Sequence, residues 1–114
     1  MKRLVFLIAM FSVTAATSSF AADKKVERLW KKKCGSCHGG DGKADTEKGK
    51  KMKMHSVATA EWQKKNSDAD IKKAINDGVK EEKDGVKKEM DAYKDELKPE
   101  ELDGLVQYIR DLKP

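Results

Sequence analysis

Five consecutive residues, Cys34-Gly35-Ser36-Cys37-His38, concentrate the reactive side chains of this 114-residue chain, and they hold both of its cysteines. Two thiols separated by two residues can add to the vinyl groups on adjacent edges of one porphyrin. The histidine that follows directly is then held under the metal, which is why C-x-x-C-H reads as c-type haem attachment. Two other chemistries use the same residue types. A thioredoxin-like dithiol expects a βαβ setting, and this sequence has none. A zinc site would draw on Cys34, Cys37, His38 and His55, but adjacent Cys37 and His38 reach two corners of one tetrahedron poorly. Covalent attachment of haem c is therefore the expectation, and a single motif implies a single haem. No residue stands out for acid–base or nucleophilic catalysis, so the reading is not that of an enzyme.

The motif needs a frame, and the apolar spacing describes a helical one. Val26, Leu29 and Trp30 fall at i, i+3 and i+4, predicting an amphipathic helix over 24–33 that runs into the cysteines. Gly35, Gly39, Gly40 and Gly42 break it, and the lysine-rich stretch 42–55 reads as loop. A short helical turn is expected over 61–64. Ser67 followed by Asp70 predicts an N-cap with an acidic partner. Ile71, Ala74, Ile75 and Val79 then form one helical face, and Gly78 supplies a stop. The charged stretch 79–93 reads as a surface loop that returns to the interior at Met90. Pro99 suits a first helical position, with Glu100 and Glu101 near the positive end of the helix dipole. Leu102, Leu105, Val106, Ile109 and Leu112 make the clearest apolar stripe in the chain. With no repeat and no convincing strand, the fold class is all-α.

Ahead of this frame, Lys2 and Arg3 precede an apolar run from Leu4 to Phe11 and small residues up to Ala21, the layout of a secretory signal peptide cleaved after Ala21. The apolar run is too short for a membrane span, which takes about 20 residues. One soluble, exported, periplasmic domain over 22–114 is expected. Hydrophobic residues are 38% of the chain, so a domain this small must borrow apolar surface, and a buried haem would supply it. Removing Lys2 and Arg3 leaves 23 basic against 20 acidic residues, too mild an excess to suggest nucleic acid.

The segment Cys34 to Lys43, reading C-G-S-C-H-G-G-D-G-K, together with Met90-Asp91-Ala92-Tyr93 and Tyr108-Ile109-Arg110, resembles the class I monohaem cytochromes c of the small bacterial type. The likeness extends over the whole of 22–114. It implies four or so short helices wrapped around one covalent haem, with His38 as one axial ligand of the iron. The second would be Met90, from the loop before the last helix, in competition with Met52, Met54 and His55. Trp62 resembles a tryptophan that donates its indole hydrogen to a haem propionate in some relatives, against ordinary packing. Trp30 would pack on Leu105 and Tyr108. Three departures matter. Asp91 stands where the family has proline, which leaves the Met90 loop less rigid. Val26 replaces a glycine at the helix crossing, where Gly104 on the last helix could restore close approach. No proline between His38 and Trp62 marks the carbonyl that usually orients the ligand imidazole. The resemblance implies a monomeric one-electron carrier that docks transiently with redox proteins. Alternatives are a ligand-binding or peroxidatic haem protein with a displaceable sixth ligand, or a haem subunit of a larger oxidoreductase.

Overall fold

The computed structural model describes residues 20–114. Helix α1 (Phe20–Leu29) passes without a break into a π-helical turn, Trp30–Cys34, and then into α2 (Gly35–His38). Helices α3 (Glu47–Lys51), α4 (Ala60–Lys65) and α5 (Asp68–Asp77) follow, then strands β1 (Val79–Lys83) and β2 (Val86–Met90), and finally α6 (Pro99–Asp111). The signal peptide expected over 1–21 lies outside the described residues apart from Phe20 and Ala21, which begin α1. Among the described residues no helix is long and apolar enough to cross a membrane.

The caps read from the sequence are present. The Asp70 N–H donates to Ser67 Oγ at 3.1 Å and the Ser67 N–H donates to Asp70 Oδ2 at 3.0 Å. That reciprocal box satisfies two of the free donors at the start of α5. It also holds the Asp70 carboxyl below the usual carboxylate range, chiefly through the Ser67 N–H. Pro99 opens α6, and the Lys98 N–H is capped by Glu101 Oε1 at 3.0 Å.

The all-α expectation needs correction, because 79–93 is not a plain loop. Val79–Lys83 and Val86–Met90 pair antiparallel, with Val79 opposite Met90 and Lys83 opposite Val86. Asp84 at φ 53° and Gly85 at φ 76° form the connection, and this Asp-Gly pair with both φ angles positive matches a tight type I′ hairpin turn. Opposed residues carry opposite charge: Lys80 with Glu89, Glu81 with Lys88, Glu82 with Lys87. Such pairs favour the register, and their charges protect two exposed strand edges from pairing with other chains. The loop expected over 42–55 is also interrupted by α3. Thr46 starts that helix by accepting the Gly49 N–H at 2.9 Å.

The core lies where α1 and its π-helical turn cross α6 and α5. Trp30 and Leu105 are almost wholly buried, and Ile71, Ile75, Val106 and Ile109 complete the cluster with Cys34 and Val57. At the crossing, a Cβ on Gly104 would stand 2.6 Å from Val26 Cγ2. The glycine on α6 thus accommodates the valine on α1. In the otherwise unchanged chain, Gly104→Ala should destabilise by about 1–2 kcal/mol, since overpacking outweighs the helix-propensity gain. In a Val26→Ala background the obstruction is gone, and the same change should stabilise by up to about 1 kcal/mol. Thermal unfolding of the four proteins measures this. A stabilising Gly104→Ala in both backgrounds would show that the crossing does not depend on the glycine.

Candidate functional site

The π-helical turn of α1 delivers Cys34 into the core and leaves Cys37 and His38 on the short α2. Four successive carbonyls then fix the end of the motif from different parts of the chain. Thr46 Oγ1 donates to Cys37 O at 2.7 Å and the Ala44 N–H to His38 O at 2.8 Å. Trp30 Nε1 donates to Gly39 O at 2.9 Å and the Tyr108 hydroxyl to Gly40 O at 3.3 Å. Gly49 packs so closely that a Cβ there would strike the carbonyl oxygens of Ala44 and Cys37. Trp30 is also an aromatic spacer, with ring centroids 5.6 Å from His38 and 5.2 Å from Tyr108. The expected contact of Trp30 with Tyr108 is therefore present, Leu105 shares the same core cluster, and the indole bond adds a direct hold on the motif.

Burial sets the chemistry of these side chains. Cys34 is buried, which pushes its thiol up to about 11, so it stays protonated. Cys37 is half-buried. Burial lowers the His38 imidazole below its ordinary value, favouring the neutral ring that a metal requires. Its Nδ1 is buried without a hydrogen-bond partner. No carbonyl among the described residues takes the orienting role that the missing proline would have marked.

Around His38 the chain opens into a crevice. Its inner part, a cavity of about 80 Å³, is lined by Cys34, His38, Trp62, Ile71, Leu105 and Met90 among others, and is almost entirely apolar. An adjoining part of about 230 Å³ is lined by His38, Trp62 and Met90 with Met52, Met54 and His55. The outer part, about 150 Å³, is bordered by Cys34, Cys37, His38, Met54, Met90 and Asp91. The structure thus brings Cys34, Cys37, His38, Met90 and Trp62 to one crevice, with His38 and Met90 bordering all of it. Met52, Met54 and His55 border its outer parts only. Trp62 also packs on the core cluster, and among the described residues its indole N–H has no acceptor, so a group in the crevice can take it. Two cysteines on its border, a buried imidazole kept neutral and an apolar interior fit a covalently attached haem.

Residues missed in the sequence are those that hold the motif from afar. Thr46, Ala44 and Gly49 act through tertiary contacts, and only Thr46, as a helix cap, left a local signal.

A helical frame crossing at its two ends, with C-x-x-C-H at the mouth of an apolar crevice, is the organisation of a small c-type cytochrome. The chain belongs to the family described as cytochrome c oxidase, cbb3-type, subunit III, whose model matches residues 21–109. Membership implies covalently bound haem c. Two solved structures are similar. The KustC0563 c-type cytochrome is 35% identical with a TM-score of 0.64, the match covering 77% of this chain and 96% of that one. A tyrosine-to-phenylalanine mutant of Kustc0563 is also 35% identical, with a TM-score of 0.62 and coverage of 77% and 98%. No curated protein matches.

Proposed function

We propose that this chain is an exported, soluble carrier of single electrons that holds one haem through Cys34 and Cys37, with His38 and Met90 as axial ligands of the iron. The observation that carries the reading is the shared crevice, with the cysteine motif and His38 on one side and Met90 at the end of β2 on the other. When bound, haem c supplies a one-electron couple at iron. The chain's own residues do the rest. His38 and Met90 would hold the iron from both sides of the crevice and would leave no open site for substrate, which favours a relay over an enzyme. Ile71, Ile75, Leu105 and Ile109 keep water out. Trp62 offers its N–H to a haem carboxylate. Cys37 and the outer crevice leave an edge exposed for transfer to redox proteins that dock transiently. Residues 1–21 serve as the signal peptide for export to the periplasm, and the mature protein is monomeric.

Met90→Ala tests the ligand assignment. The ferric protein should lose the weak red band of sulfur-to-iron charge transfer, and the reduced protein should bind carbon monoxide rapidly. A retained band would move the sixth position to Met52 or Met54. The family description favours a second reading, in which the chain is a haem subunit of a larger oxidoreductase. Co-purification of the tagged chain with a stoichiometric partner would support that reading, and isolation as a lone monomer would support the carrier.

A further inference from the structure

Asp91 follows Met90, so no proline ring stiffens the chain as it enters the crevice. The structure shows a different restraint on the same backbone. Gly78 ends α5 at φ 75°, ψ 179°, a conformation essentially confined to glycine. A Cβ there would lie 2.6 Å from Met90 O, 3.0 Å from Ala92 N and 3.1 Å from Asp91 C. All three are backbone atoms, which cannot rotate aside as a side chain can. Beyond them, the Tyr93 N–H donates to Ile75 O at 2.9 Å and the Lys94 N–H to Asn76 O at 3.2 Å. Residues 90–94 therefore lie along the C-terminal end of α5 and use carbonyls that the helix leaves free. Tyr93 also donates its hydroxyl to Lys33 O at 3.0 Å, tying the segment to the turn that carries Cys34.

We propose that Gly78, with the end of α5 and Tyr93, is the positioning device that holds Met90 over the crevice. This rests on Met90 being the sixth ligand. The hairpin delivers Met90 to this point, and contact with Gly78 sets where its backbone stops. Gly78→Ala adds backbone strain and a steric block, and the two together displace residues 90–92 from α5. Gly85→Ala is the matched control, since Gly85 has φ 76° but nothing within 4 Å of its would-be Cβ.

The experiment uses the haem-loaded full chain, with covalent attachment checked by mass and helix content by circular dichroism. In Gly78→Ala the sulfur-ligated fraction, read from the red charge-transfer band, should fall at least about tenfold. In Gly85→Ala it should stay near the unsubstituted value. Tyr93→Phe keeps the ring and guards against a Gly78 variant that does not fold. Loss of its hydrogen bond should speed carbon monoxide binding to the reduced protein by about fivefold. A Gly78→Ala protein that keeps the band, a Gly85→Ala protein that loses it equally, or an unchanged Tyr93→Phe rate each overturns the positioning role. If the unsubstituted protein lacks the band, or Met90→Ala retains it, the ligand assignment itself fails.

Discussion

Cys34→Ala with Cys37→Ala, made in a host competent for haem attachment, should yield a chain with no covalent haem. Both thiols border the crevice, Cys34 from the buried side and Cys37 from the half-exposed side. Each proposed thioether bond consumes one of them, and the described residues hold no other cysteine. Loss of attachment should be complete, because no side chain replaces a thiol in that addition. Intact mass of the purified protein reads it directly, and haem extractable into acidified solvent separates covalent from loose binding. The fold should weaken too. The inner crevice is lined by the residues that form the core, so a chain without its cofactor loses apolar packing around Ile71, Ile75 and Leu105. A double variant that retained haem through solvent extraction would show that the motif does not serve attachment.

The largest expected loss of stability outside the motif falls at Arg110. Its guanidinium donates to Gln63 O at 2.7 Å, to Gln63 Oε1 at 2.8 Å and to Asn66 O at 2.6 Å, and Nε reaches Asp68 Oδ1 at 2.8 Å. Gln63 O and Asn66 O lie at the C-terminal end of α4, where a cation meets the negative end of the helix dipole. Gln63 extends the lock, with Nε2 donating to Val57 O at 2.7 Å and Ile109 O at 2.9 Å. One side chain on α6 therefore fixes the α4–α5 corner that carries Trp62. The Asp68 pair is well exposed on the acid's side and adds little. The bonds to part-buried carbonyls set the size of the effect. Arg110→Met should cost about 2–4 kcal/mol, or roughly 10–25 °C in melting temperature for a domain of this size. Arg110→Lys should recover less than half of that, because one compact ammonium lacks the planar fork of three nitrogens that reaches these four acceptors. Thermal unfolding of the haem-loaded variants decides it. A loss below about 1 kcal/mol for Arg110→Met would show that water replaces the network at little cost.

Much of the frame was readable because it follows local rules. Ser67 with Asp70, Pro99 with Glu101, and the stripe from Leu102 to Leu112 each state a helix boundary or face within one stretch of chain. The hairpin escaped because Val79–Met90 has almost no apolar alternation. Its order comes from an Asp84-Gly85 turn and complementary charge across the strands, a signal visible only when both halves are read together. Helix α3 escaped for a related reason: it buries Gly49 rather than a side-chain stripe, so its position is dictated by contact with the Cys37 carbonyl. The motif itself was legible because its chemistry lies in five adjacent residues. Met90 entered as an iron ligand through resemblance alone. The Gly78 contact, the Trp30 bond to Gly39 and the Arg110 network join residues far apart in sequence, and only the folded chain displays them.

Cys34 and Cys37 should together bind one haem covalently. Intact mass spectrometry of the unsubstituted protein, produced with haem-attachment machinery and denatured before measurement, tests it most directly. The expected result is a single species at the mass of residues 22–114 plus one haem. The bare polypeptide mass, from a colourless product, would contradict it.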